Sequence, residues 1–183
     1  MVSDLTGHDI ANSSLLDEPT AAAEAMAMAH RLLRGKRNVF YVDPDCHEPT
    51  KGVVATRALA VGIEIRDLVT DVDPSEAFGV LVQYPGSSGA ISDYTELATR
   101  FRDSGALVVA ATDLLALTLL RPPAEWGADI AIGSAQRFGV PLGYGGPHAG
   151  FITTDEKHVR ALPGRLVGVA EDPMGRVGYR LAL

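Results

Sequence analysis

Short, almost continuously apolar runs alternate along the chain with stretches whose apolar positions recur at helical period. Residues 78–84 (FGVLVQY) and 106–111 (ALVVAA) have the pattern of strands buried on both faces of a sheet. Residues 38–42 (NVFYV), 64–69 (EIRDLV), 130–132 and 151–153 predict further strands. Between them, the Ala- and Met-rich segment 20–33 (TAAAEAMAMAHRLL) is a strong helix former. Residues 50–61 predict a second helix, in spite of Gly52 and a β-branched pair. Asp93-Tyr94-Thr95-Glu96 has capping-box spacing for a third, which Gly105 would end as the residue after the cap. Thr153 with Glu156 is expected to cap a last short helix. Strand–helix–strand units with buried strands predict an α/β fold: three layers, a mainly parallel sheet and helices on both faces, joined by right-handed crossovers. Ligands in such sheets lie beyond the carboxyl ends of the strands, here the loops after Val42, Tyr84, Ala111 and Ile132.

Composition narrows the class. The 183 residues suit one domain, 1–183, and 46% hydrophobic with 21% charged residues is the balance of a soluble globular chain. A net charge of −7 argues against nucleic acid or an anionic membrane surface as partner. The single cysteine, Cys46, excludes a disulfide framework or a multi-thiolate metal site and fits a reducing compartment. Residues 1–10 lack a basic segment followed by an apolar core, and no apolar run is long enough to span a bilayer. The expectation is a cytoplasmic protein. The chain stops at residues 180–183 without a helix or polar tail, which suggests that it is cut short. Only three of its 16 basic residues are lysines, namely Lys36, Lys51 and Lys157.

Five loops have residues suited to chemistry. Leu15 to Ala22 opens a helix whose free N–H groups, with the Thr20 hydroxyl and Ala21, suit a phosphate; an ordinary capped helix with Pro19 near its start explains the same residues. Asp43-Pro44-Asp45-Cys46-His47-Glu48 places His47 to stack on a planar ring, or is a solvated acidic turn; the spacing does not suit a metal. Tyr84-Pro85-Gly86-Ser87-Ser88-Gly89 lines a pocket or is a surface turn. Asp113 holds the ring nitrogen of a pyridine cofactor or caps a helix over 114–119. The run Gly133 to Gly150, with five glycines from 139 onward and His148 near its end, is a turn-rich loop without P-loop spacing.

These residues carry a resemblance. Residues 15–26 (LLDEPTAAAEAM), Asp129-Ile130, Gln83-Tyr84-Pro85-Gly86, 113–120 (DLLALTLL) and the string 134–148 (SAQRFGVPLGYGGPH) closely resemble the glycine cleavage system P-protein family. That family is glycine dehydrogenase (decarboxylating), pyridoxal-phosphate enzymes of fold type I built from two similar halves, fused or as separate subunits. The resemblance is to the amino-terminal half, with the upstream part and the C-terminal small domain missing. It implies pyridoxal 5′-phosphate as the parent enzyme's cofactor and glycine as its substrate. It also implies the carboxy-terminal half or β subunit and the lipoyl H-protein as partners. Matching Phe138 and Pro141 places Gln136 where the catalytic half has its Schiff-base lysine, with Arg137 beside it. An amide cannot form an aldimine. By the same matching Thr20 to Ala22 correspond to the phosphate-cradling helix start, His47 to the ring-stacking histidine and Asp113 to the ring-nitrogen partner, here relics of a degenerate site. Pro19 replaces the glycine usual before Thr20 and removes one N–H. The implied role is support of the active site and the assembly. The alternative is a regulatory or scaffolding domain that binds a phosphorylated ligand at Thr20.

Overall fold

The structure, a computed structural model, describes residues 1–143, 148–164 and 166–182. Seven strands form one sheet: β1 (Ile10–Leu15), β2 (Val39–Val42), β3 (Glu64–Asp67), β4 (Ala77–Tyr84), β5 (Leu107–Asp113), β6 (Ile130–Ser134) and β7 (Gly150–Thr154). Their order is β1-β7-β6-β5-β4-β2-β3. The run from β6 through β5, β4 and β2 to β3 is parallel, and β7 is antiparallel to both its neighbours. Among the described residues four α-helices accompany it: α1 (Val2–Thr6), α2 (Glu18–Leu32), α3 (Glu48–Val61) and α4 (Thr95–Asp103). A two-stranded antiparallel ribbon, β8 (Leu166–Glu171) with β9 (Val177–Ala182), forms a separate sheet.

Each face of the sheet buries its own apolar layer. Phe40, Phe78, Leu81, Val109, Ile130 and Ile132 pack with α2 and α3, while Val80, Val82, Val108, Ala110 and Phe151 pack with α4 and Trp126. Helix α2 presents Ala21, Ala22, Ala23, Ala25 and Ala29, all fully buried, so its backbone lies close against the strands. The Phe40 and Phe78 rings stack at 5.2 Å. Each such buried side chain contributes about 1.5–3 kcal/mol. No helix among the described residues is long and apolar enough to cross a membrane.

The predicted layers and parallel strands are present, with differences that have local causes. Helix α2 begins two residues before Thr20 because Asp17 caps it. Asp93 bonds the Thr95 N–H and hydroxyl, two residues on, so α4 starts at Thr95 without the expected box; Gly105 does end it, at φ 82°. The expected cap at Thr153 does not form. Thr153 lies inside β7, fully buried, with its hydroxyl against His8 Nδ1 at 3.0 Å, and the following turn, Glu156–Ala161, is 3-10 and starts after Asp155. Residues 114–119 form only one 3-10 turn, Ala116–Thr118, not a full helix. Strand β1, helix α1 and the β8–β9 ribbon have no counterpart in the sequence reading. Within the glycine-rich run, residues 144–147 lie outside the described residues.

Candidate functional site: a cleft at the carboxyl edge of the sheet

All four predicted loops meet at one edge. Parallel strands deliver their carboxyl ends to the same side, and β1 adds the start of α2 there. The resulting cleft, about 530 Å³, is walled by Glu18 from α2, His47 before α3, Gln83, Pro85 and Gly86 at the end of β4, Asp113 from β5, Ser134 from β6, and Gln136 and Arg137 from the 3-10 turn Ala135–Phe138 that follows it. A second depression of about 580 Å³ shares Glu18, His47 and Ser134 and reaches Asp17, Pro19, Ser87 and His148.

Asp113 ends β5, and its carboxylate is fully engaged. One oxygen accepts from the Leu115 and Ala116 N–H groups at 2.8 and 3.1 Å; the other takes Arg137 Nε and Nη2, both at 2.8 Å. Burial alone would raise this carboxyl, but the Arg137 guanidinium and the two N–H groups outweigh it and hold it below the usual range. A protonated ring nitrogen would have to displace Arg137 to reach it.

The start of α2 is closed in the same way. Asp17 Oδ1 accepts the Thr20 N–H at 2.7 Å, and the Asp17 carbonyl accepts the Ala21 N–H at 2.9 Å. Gly150 makes the approach possible: a Cβ there would lie 2.5 Å from the Asp17 carbonyl oxygen. A phosphate at this end would meet two acidic side chains, Asp17 and Glu18, instead of free N–H groups.

His47 Nδ1 lies 2.6 Å from the Ser87 hydroxyl, so the ring is tied to the loop after β4. That loop is itself tied to Asp45, whose carboxylate accepts the Ser88 N–H and hydroxyl at 2.9 and 2.7 Å. These two bonds hold the exposed Asp45 carboxyl below the usual range. Gly86 is required here, because a Cβ would fall 1.8 Å from Asp45 Oδ2. Gln136 turns its amide back to the Val140 carbonyl at 3.2 Å. No lysine lines the cleft. Lys51 pairs with Glu48 at 2.6 Å and donates to the Pro44 carbonyl, and Lys157 pairs with Asp155.

The structure thus brings His47, Gly86, Asp113, Gln136 and Arg137 to one cleft, with Ser87 and His148 in the adjoining depression. Three sequence candidates do not line it. Thr20 and Ala21 have their N–H groups spent inside the helix cap, and Ala21 is fully buried. Tyr84 points to the opposite face of the sheet, edge-on to Trp126 at 5.7 Å. Conversely, Glu18 and Gln83 were not singled out. Gln83 had a signal, being an amide set in an otherwise apolar strand. Pyridoxal phosphate does not fit these residues as a covalently held group: no amine is present to receive it, its ring partner is occupied and its phosphate cradle is capped.

Known proteins resemble this chain along its whole length. The family model described as glycine cleavage system P-protein matches residues 1–183. The glycine dehydrogenase (decarboxylating) of Agrobacterium fabrum is 54% identical over 185 residues, covering all of this chain. That of Rhizobium etli is 55% identical over the same length. The chain spans 19% of each of these relatives. A solved glycine decarboxylase (P-protein) in inhibitor-bound form superposes with a TM-score of 0.91 at 38% identity, over 100% of this chain and 43% of that one. A cystathione gamma lyase of Micromonospora echinospora shares the fold, at a TM-score of 0.62 and 21% identity over 87% of this chain and 42% of its own. By a family match along its whole length and by close superposition on that P-protein, the chain belongs to the glycine cleavage system P-protein family.

Proposed function

We propose that this chain is a supporting, non-catalytic part of a glycine dehydrogenase (decarboxylating), in which it forms a partial large domain. The parent reaction is pyridoxal-phosphate-dependent decarboxylation of glycine with transfer of the aminomethyl group to the lipoyl arm of the H-protein, in the cytoplasm. This half contributes a preformed cleft and an interface to the half that holds the cofactor. The observation that carries the reading is the engaged Asp113–Arg137 pair beside Gln136, in a cleft with no lysine on its walls. Its relatives' names support glycine decarboxylation by the parent enzyme, and Gln136 at the matched lysine position supports the division of labour. The alternative of a phosphorylated ligand at Thr20 has the Asp17 cap against it.

The test is made in a full-length P-protein carrying this segment. Asp113→Asn and Arg137→Met should leave bound cofactor per active site unchanged, read from visible absorbance, with glycine decarboxylation retained. Loss of cofactor from either variant, with the fold intact by circular dichroism, would show that this cleft holds it after all.

A further inference from the structure

The floor of the cleft has a buried acceptor that no donor among the described residues fills. Gln83 is 3% exposed, and its Oε1 has no hydrogen-bond partner among the described residues. Its other end faces Glu18, with Nε2 and Glu18 Oε1 at 3.5 Å. The carboxylate thereby fixes which way the amide points, since it needs a donor. Glu18 is itself pressed into the protein: burial raises its carboxyl above the usual range, His47 and Gln83 oppose this, and Asp113 and Asp17 add to it. The cation in the cleft, Arg137, is spent on Asp113. A buried acceptor and a poorly compensated carboxylate side by side are costly unless a donor of positive charge joins them.

We propose that the cleft between Glu18 and Gln83 binds the primary ammonium group of a small molecule. Such a group is compact, carries one positive charge and offers three N–H donors, enough for Gln83 Oε1 and the Glu18 carboxylate together. A divalent metal is less suited, because no group of three or more His, Cys, Asp or Glu side chains converges among the described residues. Arg137, half exposed at the rim, uses Nε and Nη2 on Asp113, which leaves Nη1 as its one group for a carboxylate on the same ligand. The inference goes beyond the supporting role and does not rest on it, since it needs no cofactor.

Calorimetric titration of the chain, without pyridoxal phosphate, uses methylammonium, glycine, tetramethylammonium and acetate as probes. Methylammonium and glycine should bind saturably, whereas tetramethylammonium, which has no N–H, and acetate should not. Tighter binding of glycine assigns an amino acid; equal binding assigns the ammonium alone. Glu18→Gln and Gln83→Met should each weaken binding about tenfold, the loss expected for one charged or buried hydrogen bond. Absence of saturable methylammonium and glycine binding overturns the proposal, as does equal binding of tetramethylammonium or unchanged affinity in a folded Glu18→Gln variant. Should a substituted chain fail to melt cooperatively, the contrast between methylammonium and tetramethylammonium on the unsubstituted chain decides alone. A negative result leaves the supporting role standing, because that reading fails only if this cleft holds cofactor.

Discussion

Single residues decide what the cleft can hold. Gly86 is there because the Asp45 carboxylate occupies the space a side chain would need, and that carboxylate organises the Ser87–Ser88 turn on which His47 leans. Gly86→Ala should therefore lower stability by about 1–3 kcal/mol, the cost of forcing extra volume into a packed position, and free His47 from Ser87. Denaturant unfolding measures the first effect, and a changed NMR chemical shift of the His47 ring measures the second. At the start of α2, Asp17→Ala removes the cap and should cost about 1 kcal/mol, while Asp17→Asn keeps the acceptor and should cost much less. Thermal melts of the two variants distinguish them.

At the scale of elements, the parallel strands β2, β4, β5 and β6 were legible because each is a mostly apolar run buried on both faces, a signal independent of tertiary partners, whereas the edge strand β3 is polar and exposed at both ends. Gly105 at the end of α4 was legible for a comparable reason: its left-handed φ is local. Strand β1 was not, because residues 10–15 (IANSSL) are mostly polar and its place is set by pairing with β7 across the chain. The reversal of β7 was equally hidden. It is fixed by remote partners, among them His8, which is 3% exposed and lies 3.1 Å from the Ala128 carbonyl through Nε2 and 3.0 Å from the Thr153 hydroxyl through Nδ1. The Ala128 carbonyl can only accept, so Nε2 donates to it, and burial disfavours the charged form of the ring.

A pH dependence follows from that ring. Burial is the largest influence on His8 and lowers its affinity for a proton below the ordinary value of about 6.5, against smaller opposing effects of the Ala128 carbonyl and of Asp155, Asp129 and Asp9. A lowered folded-state value means that the unfolded chain takes up the proton first. The stabilisation is present above about pH 6.5 and is lost as pH falls through the folded value. His158, also lowered chiefly by burial, adds to the same slope. Urea unfolding at pH 7.5 and pH 5.5 should show the loss, and His8→Gln should reduce the slope without abolishing it.

For the whole molecule, the sheet topology gathers chemistry-bearing residues at one edge whether or not they react. His47, Gly86, Asp113, Gln136 and Arg137 were legible as candidates through loops after strands and through a long distinctive string. That Arg137 would fold back onto Asp113, or that Asp17 would close the helix start, was not, since both depend on side-chain placement across elements. Several independent blocks have a consequence: restoring an amine alone should not restore cofactor binding. Gln136→Lys should form no stable aldimine, because Asp17 still caps Thr20 and Arg137 still occupies Asp113; absorbance on titration with pyridoxal phosphate checks this.

The central claim, that this chain supports rather than holds the cofactor, meets its most direct test in borohydride trapping. The chain is incubated with pyridoxal phosphate, reduced and mapped by peptide mass spectrometry. The account predicts no saturable, stoichiometric pyridoxyl adduct and only sparse labelling spread over Lys36, Lys51 and Lys157. A stoichiometric adduct on one of these lysines, accompanied by a visible absorbance band, would contradict it.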